Sequence, residues 1–457
     1  MNAEQFHHAL KFREDICIGC SHCMMICPTE AIRVKNGKAH LSENRCVDCG
    51  ECYRVCPVGA IIVHQDDFDD IFAYKHRIAL IPVVFTGQFP DKYNHKEILD
   101  AVFELGFTDV YEVEQGAMFL AQLYKEMIEE ITMDRPLISS FCPAIVRLIQ
   151  IKFPTLVDHI IPLKAPLDIT ALHARKGLVD AGVDPKDIGV FYVTPCAAKI
   201  VAIKSPVGES KSIIDGVINM NYLYNRIFKY LKSNPRKPEP SHHFEPLSPM
   251  AVKWSLTHGE TDCMKDFKSL AIDEITNVIE FLEKVENDEI HGVDFLELRA
   301  CDESCAGGIL CSGNRFLTVD KLQNRSSKCA MKSDSENPNV VKLIQNNSEY
   351  LRDNSRVGKI PPRSMLKLDD NMAEAMVKMK RIYEINSSLP QVDCGICGTP
   401  SCQSLAEDIV QNDASIRQCV FVQKILEQND KLEPGEAIRI MKSIWSDNKL
   451  DKNSFKD

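Results

Sequence analysis

Cys17-Ile18-Gly19-Cys20-Ser21-His22-Cys23-Met24-Met25-Ile26-Cys27-Pro28 and Cys46-Val47-Asp48-Cys49-Gly50-Glu51-Cys52-Tyr53-Arg54-Val55-Cys56-Pro57 share one spacing, C-x2-C-x2-C-x3-C-P. Each cysteine and proline of the second run lies 29 residues after its counterpart, and Ala31-Ile32 repeats as Ala60-Ile61. An internal duplication of this kind signals a symmetric two-site fold. Three closely spaced thiolates wrap three corners of an iron–sulfur cube, and the fourth cysteine crosses to the other cube. The spacing therefore predicts one [4Fe–4S] cluster on Cys17, Cys20, Cys23 and Cys56, and a second on Cys46, Cys49, Cys52 and Cys27.

Over roughly residues 8 to 66 these motifs resemble bacterial dicluster ferredoxins. Structural zinc is the alternative, although its cysteine pairs are usually separated by a longer loop. Outside this stretch, 457 residues are enough for two or three domains. The net charge of −11 argues against a nucleic-acid binder held by phosphate contacts. The most apolar run, 78 to 85, is too short to cross a bilayer. The polar segment 1 to 12 does not read as an export signal. Nineteen cysteines in such a chain point to metal rather than disulfides, and to a reduced, cytoplasmic setting.

From His76 to about Lys367, strand-like runs (77 to 85 and 188 to 193) alternate with helical patterns (118 to 131 and 222 to 231), which predicts an α/β domain on largely parallel sheet. Three strand-like runs lead into cysteine segments: Ser140-Phe141-Cys142-Pro143, Thr194-Pro195-Cys196-Ala197-Ala198-Lys199, and Arg299-Ala300-Cys301-Asp302-Glu303-Ser304-Cys305-Ala306-Gly307-Gly308. Loops at the carboxyl ends of parallel strands are where such sheets place their sites. A cysteine at a strand-to-helix turn also has its thiolate favoured by the helix N-terminus. Taken singly, each of these cysteines is as readily a buried small apolar residue.

The order of the three segments resembles the catalytic domain of [FeFe]-hydrogenases over roughly 76 to 330. The resemblance implies that Cys142, Cys196, Cys301 and Cys305 hold a further [4Fe–4S] cluster, with Cys305 bridging to a two-iron subsite. It also implies that Lys199 contacts that subsite, so Lys199 and Cys305 are the candidate catalytic residues. The departures are specific. Phe141 stands where the family has a proton-relaying cysteine, and Glu114-Gln115-Gly116-Ala117-Met118 stands for a Glu-Glu-Gly-x-Glu segment. Ala165-Pro166-Leu167 replaces a polar Ser-Pro-Gln segment, Thr194 and Arg299 replace methionines, and Asp302-Glu303-Ser304 replaces Pro-Gly-Gly. Proton transfer needs titratable groups within hydrogen-bond reach, and apolar replacements interrupt it. The pattern is closest to the divergent, sensory type of the family.

Residues 320 to 365 read as a polar, loop-rich boundary, and Met372, Met376, Met379 and Tyr383 at helical spacing as a packed core face. Cys394, Cys397, Cys402 and Cys419 follow as C-x2-C-x4-C-x16-C, which over about 380 to 425 resembles a small four-cysteine [4Fe–4S] domain of redox proteins; zinc is again the alternative. Cys263, Cys311 and Cys329 remain as ordinary thiols, with Cys311 near enough to Cys305 in sequence to substitute as a ligand.

The fold expected is an α/β core with an N-terminal α+β dicluster ferredoxin domain and a small C-terminal iron–sulfur domain. The boundaries expected are 1–74 for the ferredoxin domain, 75–367 for the core, 368–430 for the C-terminal cluster domain, able to stand alone, and 431–457 for a charged tail. The function expected is that of a multi-cluster redox protein carrying four [4Fe–4S] clusters and leaning to a slow, hydrogenase-like oxidoreductase or hydrogen/redox sensor with a two-iron subsite. The alternative is a non-catalytic electron-transfer or signalling module carrying only cubes. Either reading calls for a redox or signalling partner chain, and neither for nucleic acid or a membrane.

Overall fold

The computed structural model describes residues 7–130, 136–234, 241–333, 347–363, 368–369 and 371–450. The chain divides into two compact units that do not follow its linear order. One comprises Leu10–Val63 with Arg363–Asp457, and the other Met1–Ala9 with His64–Pro362.

The first unit holds the duplicated motif. Strand β1 (Leu10–Phe12) pairs antiparallel with β4 (Ile61–Val63), so the two ends of the repeat close on each other, while β2 (Ile32–Lys35) and β3 (Lys38–Leu41) form a hairpin. The duplication is visible atom by atom. The Ala31 and Ala60 N–H groups donate to Cys27 Sγ and Cys56 Sγ at 3.2 Å each, and Gly19 and Asp48 N–H to Cys17 Sγ and Cys46 Sγ at 3.4 Å each.

The C-terminal segment folds onto this module, in the same compact unit. Helices Met372–Ser388 and Cys402–Val410 pack around Ile382, Leu389, Cys402, Leu405, Ala406 and Cys419. Arg33 pairs with Asp408 at 2.6 Å, Arg45 pairs with Glu407, and the Val34 N–H donates to the Gly398 carbonyl at 2.9 Å. The expected tail contains helix Pro434–Trp445, whose last turn accepts N–H groups from Asn36 and Gly37. The charged composition after 430 hid an amphipathic pattern that buries Ala437 and Ile444.

The second unit is built on two parallel sheets, ordered β6-β5-β8-β9 and β10-β11-β7. Their strands are β5 (His76–Ile81), β6 (Asp109–Glu112), β7 (Leu137–Ile138), β8 (Ile188–Thr194), β9 (Gly216–Asn219), β10 (Ser269–Ile272) and β11 (Phe295–Leu298). Central β8 is buried at all seven positions, the continuous apolar run of a strand covered on both faces. The run 77 to 85 is a strand only to Ile81, because Pro82 turns it into helix Val83–Thr86. The expected boundary at 320 to 365 begins inside helix Arg315–Ser333, and the one at 367 lies outside the described residues. Among the described residues no helix is long and apolar enough to cross a membrane.

Candidate metal centres

In the first unit, one cavity is lined by Cys17, Cys20, Cys23 and Cys56 with Phe12, Ile18 and Ile61. A second is lined by Cys27, Cys46, Cys49 and Cys52 with Leu10, Ile32 and Val47. Each contains three cysteines of one repeat and the last cysteine of the other. Burial first, and then Cys20, Cys17 and Cys56, push the Cys23 thiol up to about 12. A buried Cys23 thiol that resists ionisation, gathered with three more cysteines in an apolar pocket, suits a group that takes them as thiolates and compensates their charge, as a cluster does. In the C-terminal segment Cys402 and Cys419 are buried, Cys397 packs beside them, and Cys394 is exposed. Thr399 Oγ lies 3.0 Å from Cys397 Sγ.

In the second unit the three cysteine loops leave the carboxyl ends of β7, β8 and β11. Cys142 is the N-cap of helix Pro143–Lys152, and Cys196 that of helix Ala197–Lys204. Proline at the first helical position fixes the turn after Cys142. The third loop is tied to the second by the Leu310 N–H donating to the Pro195 carbonyl at 2.9 Å, and a Cβ at Gly308 would meet that carbonyl at 2.5 Å. Glu303 (φ 60°) and Ser304 (φ 53°) sit in the left-handed region between Cys301 and Cys305. The loop thus takes a backbone path that suits glycine at two positions where it has none.

Cys142, Cys196 and Cys305 share one electrostatic neighbourhood with Lys199, and Cys301 enters by the same loop as Cys305. Lys199 is buried, with Nζ 3.5 Å from Cys305 Sγ. Burial alone would push its ammonium down, but the attraction of Cys305, Tyr192, Cys196 and Cys142 outweighs burial and the net shift is upward. Lys199 is therefore a fixed cation. Phe141 touches two cations, with Lys199 Nζ 4.4 Å and Arg299 Cζ 3.9 Å from its ring centroid.

Sequence reasoning singled out Arg299 but missed what holds it. Its Nη2 lies 2.7 Å from Glu260 and 3.5 Å from Glu297, all three buried. Glu297 accepts the Glu260 and Thr261 N–H groups at 2.9 Å each, and Glu260 accepts the Ser139 hydroxyl at 2.8 Å. The Nε and Nη1 groups of Arg299 have no protein acceptor among the described residues. Arg299 shares the neighbourhood of Cys305 and Cys142, where cluster sulfides would be acceptors of the kind these groups lack. No motif marks Glu260 or Glu297; only a buried charge needing partners could have pointed to them.

Glu114, the carboxylate kept from the family segment, accepts the Val83 N–H at 3.0 Å and the Ser255 hydroxyl at 2.5 Å. The Ser255 carbonyl in turn accepts the Cys305 N–H at 3.2 Å. Burial pushes Glu114 up to about 7. Met118 is partly exposed and Leu167 is buried, so neither offers a titratable group. Cys311 Sγ lies 3.4 Å from the Cys305 carbonyl, within the core neighbourhood, while Cys263 Sγ lies 3.6 Å from the Gly259 carbonyl.

Residues 75–259 match the family described as iron only hydrogenase large subunit, C-terminal domain. Residues 11–63 match the 4Fe-4S dicluster domain, and 389–421 an Fe-S cluster family. The chain is 25% identical over 200 residues to the NADP-reducing hydrogenase subunit HndD of Solidesulfovibrio fructosivorans, a match covering 42% of this chain and 31% of that subunit. It thus spans about a third of that relative's length. A variant of the [FeFe]-hydrogenase of Chlamydomonas reinhardtii aligns at 14% identity and TM-score 0.45, covering 65% of this chain and 97% of the other. The structure of HydA(deltaEFG), concerned with stepwise H-cluster assembly, aligns with the same values. Fold and sites define an iron–sulfur redox protein with a hydrogenase-like α/β core. Within that class the chain is a divergent hydrogenase-like protein flanked by a dicluster ferredoxin domain and a C-terminal Fe-S domain.

Proposed function

We propose that this chain is a cytoplasmic electron-transfer or redox-signalling protein carrying four [4Fe–4S] clusters, with no two-iron subsite, that exchanges electrons with a partner chain. The cluster ligands are the two ferredoxin sets, the set Cys142, Cys196, Cys301 and Cys305, and the set Cys394, Cys397, Cys402 and Cys419. The clusters take up and release single electrons. The chain's own residues bury them, supply cations and exclude water.

The observation that carries the cube-only reading is the contact of both Lys199 and Arg299 with the Phe141 ring. In the resemblance these three positions surround the two-iron unit. Here both cations lie against one aromatic ring, at separations that leave no layer of atoms between cation and ring. Arg299 is held there by two buried carboxylates, and Phe141 removes the thiol that would relay protons.

The test is infrared spectroscopy of reconstituted protein after treatment with the two-iron cofactor and maturation proteins, because bound CO and CN⁻ give bands that no protein group shares. No such bands and no hydrogen turnover are expected. A second reading, a slow hydrogenase or hydrogen sensor, is favoured by Lys199 lying within reach of Cys305 Sγ. Carbonyl bands with slow turnover would establish it in place of the first.

A further inference from the structure

Met372, Met376, Met379 and Tyr383 do not form the core face that their spacing predicts. They are 76%, 66%, 63% and 75% exposed. Helix Met372–Ser388 turns its other side inward, packing Ile382 against the C-terminal cysteine core. The helix therefore has two apolar faces, and only one is used by its own fold.

We propose that the exposed face is the contact through which two copies of this chain pair as antiparallel helices. The spacing along the face is 4, 3, 4, the alternation that keeps a seam facing a partner helix. It is also symmetric about its midpoint, between Val377 and Lys378. A two-fold axis through that midpoint sets Met376 against the second copy's Met379, and Met372 against the second copy's Tyr383. A surface that maps onto itself in this way is what an isologous dimer contact requires. The outer pairs gain sulfur–aromatic contact, and unbranched methionines adapt to each other at the centre. Lys380 and Glu384 flank one edge of the seam as a polar rim.

Size sets the strength. Three methionines and a tyrosine exposed to this degree offer roughly 500 Å² per copy, short of the roughly 800 Å² per partner of a standard interface. The dimer is therefore weak and concentration-dependent.

The experiment is sedimentation velocity of the full, cluster-loaded chain under anaerobic conditions, from about 1 to about 100 μM, the range in which a contact of this size associates. A rise from monomer to dimer is expected in the unmodified protein. Met376→Glu should abolish it, and the milder Met379→Gln should weaken it at least tenfold, with iron content and far-ultraviolet dichroism unchanged in both. Photo-methionine incorporated into a mixture of light and heavy copies should cross-link the 372–383 segments of different copies. A monomer throughout the range would overturn the proposal. So would a dimer unaffected by both substitutions, or cross-links confined within one copy or formed only to another protein.

Discussion

The ferredoxin module and the hydrogenase-like core gather cysteines in opposite ways. In the module each set of four comes from two short runs, and the geometry of one run repeats in the other to within 0.1 Å at the N–H···S contacts. In the core, the set comes from three loops more than 100 residues apart end to end, at the ends of parallel strands from two sheets. Local spacing alone defines the first kind of site. The second kind needs the whole sheet arrangement, and its surroundings can be rewritten while the cysteines stay. Phe141, Arg299 and the glycine-free turn at Glu303-Ser304 are that rewriting.

The sharpest way to break the comparison is to remove two cysteines from one run on each side. Cys23→Ala/Cys27→Ala should cost about 8 of about 16 iron atoms, because Cys23 faces one module cavity and Cys27 the other, whereas Cys301→Ala/Cys305→Ala should cost about 4. Iron and sulfide analysis of reconstituted protein reads both. Equal losses would mean that the fourth cysteine of a module run does not cross to the other site.

A smaller effect separates the units by stability. Arg45→Met leaves the half-buried Glu407 with only the Gln403 amide as a partner among the described residues, at 2.9 Å, and should destabilise the first unit by about 1–3 kcal/mol. The double variant Arg45→Met/Glu407→Leu should recover most of that loss. Denaturant melts followed by cluster bleaching would show it, with the core's own transition unmoved.

The third prediction concerns pH in the core. Folded Glu114 titrates at about 7 against 4.5 unfolded, so the folded protein holds a proton that the unfolded chain releases between those values. Its contribution to stability therefore falls as pH rises through that window and stays low above it. At about 1.4 kcal/mol per pKa unit, Glu114→Gln should gain a few kcal/mol relative to the unmodified protein between pH 5 and pH 8. Thermal melts at the two pH values measure it, and an equal effect at both would dismiss Glu114 as the titrating group.

The smallest effect belongs to the turn. Ser304→Gly relieves a left-handed non-glycine residue and removes a buried hydroxyl that has no partner among the described residues, and should stabilise the core by about 1–2 kcal/mol. A loss of stability would mean that the Ser304 side chain acts on the site rather than straining it.

Much of this was legible in the sequence, and the rest fails for physical reasons. Cysteine spacing marks the module because ligand reach is a local property. Strand-then-cysteine order marks the core loops because parallel sheets place their sites at strand ends. The exposed methionine seam was misread because period identifies an apolar face but says nothing about what covers it. The folding of 431–450 onto the module was missed because its contacts are backbone hydrogen bonds to Asn36 and Gly37, which composition does not record. Glu260 and Glu297 escaped notice because their role is to neutralise Arg299, a partnership made only in three dimensions.

The ion pairs between Arg45 and Glu407 and between Arg33 and Asp408 also set a timetable. Arg45 leaves the ribosome 362 residues before its carboxylate. At about 5–20 residues per second, the wait is roughly 20–70 s. During that interval the duplicated module has its eight cysteines but lacks the segment that covers Arg33 and Arg45. Any cluster inserted during that interval would meet the module without this cover, and a chain cut short anywhere before residue 407 stays in that state.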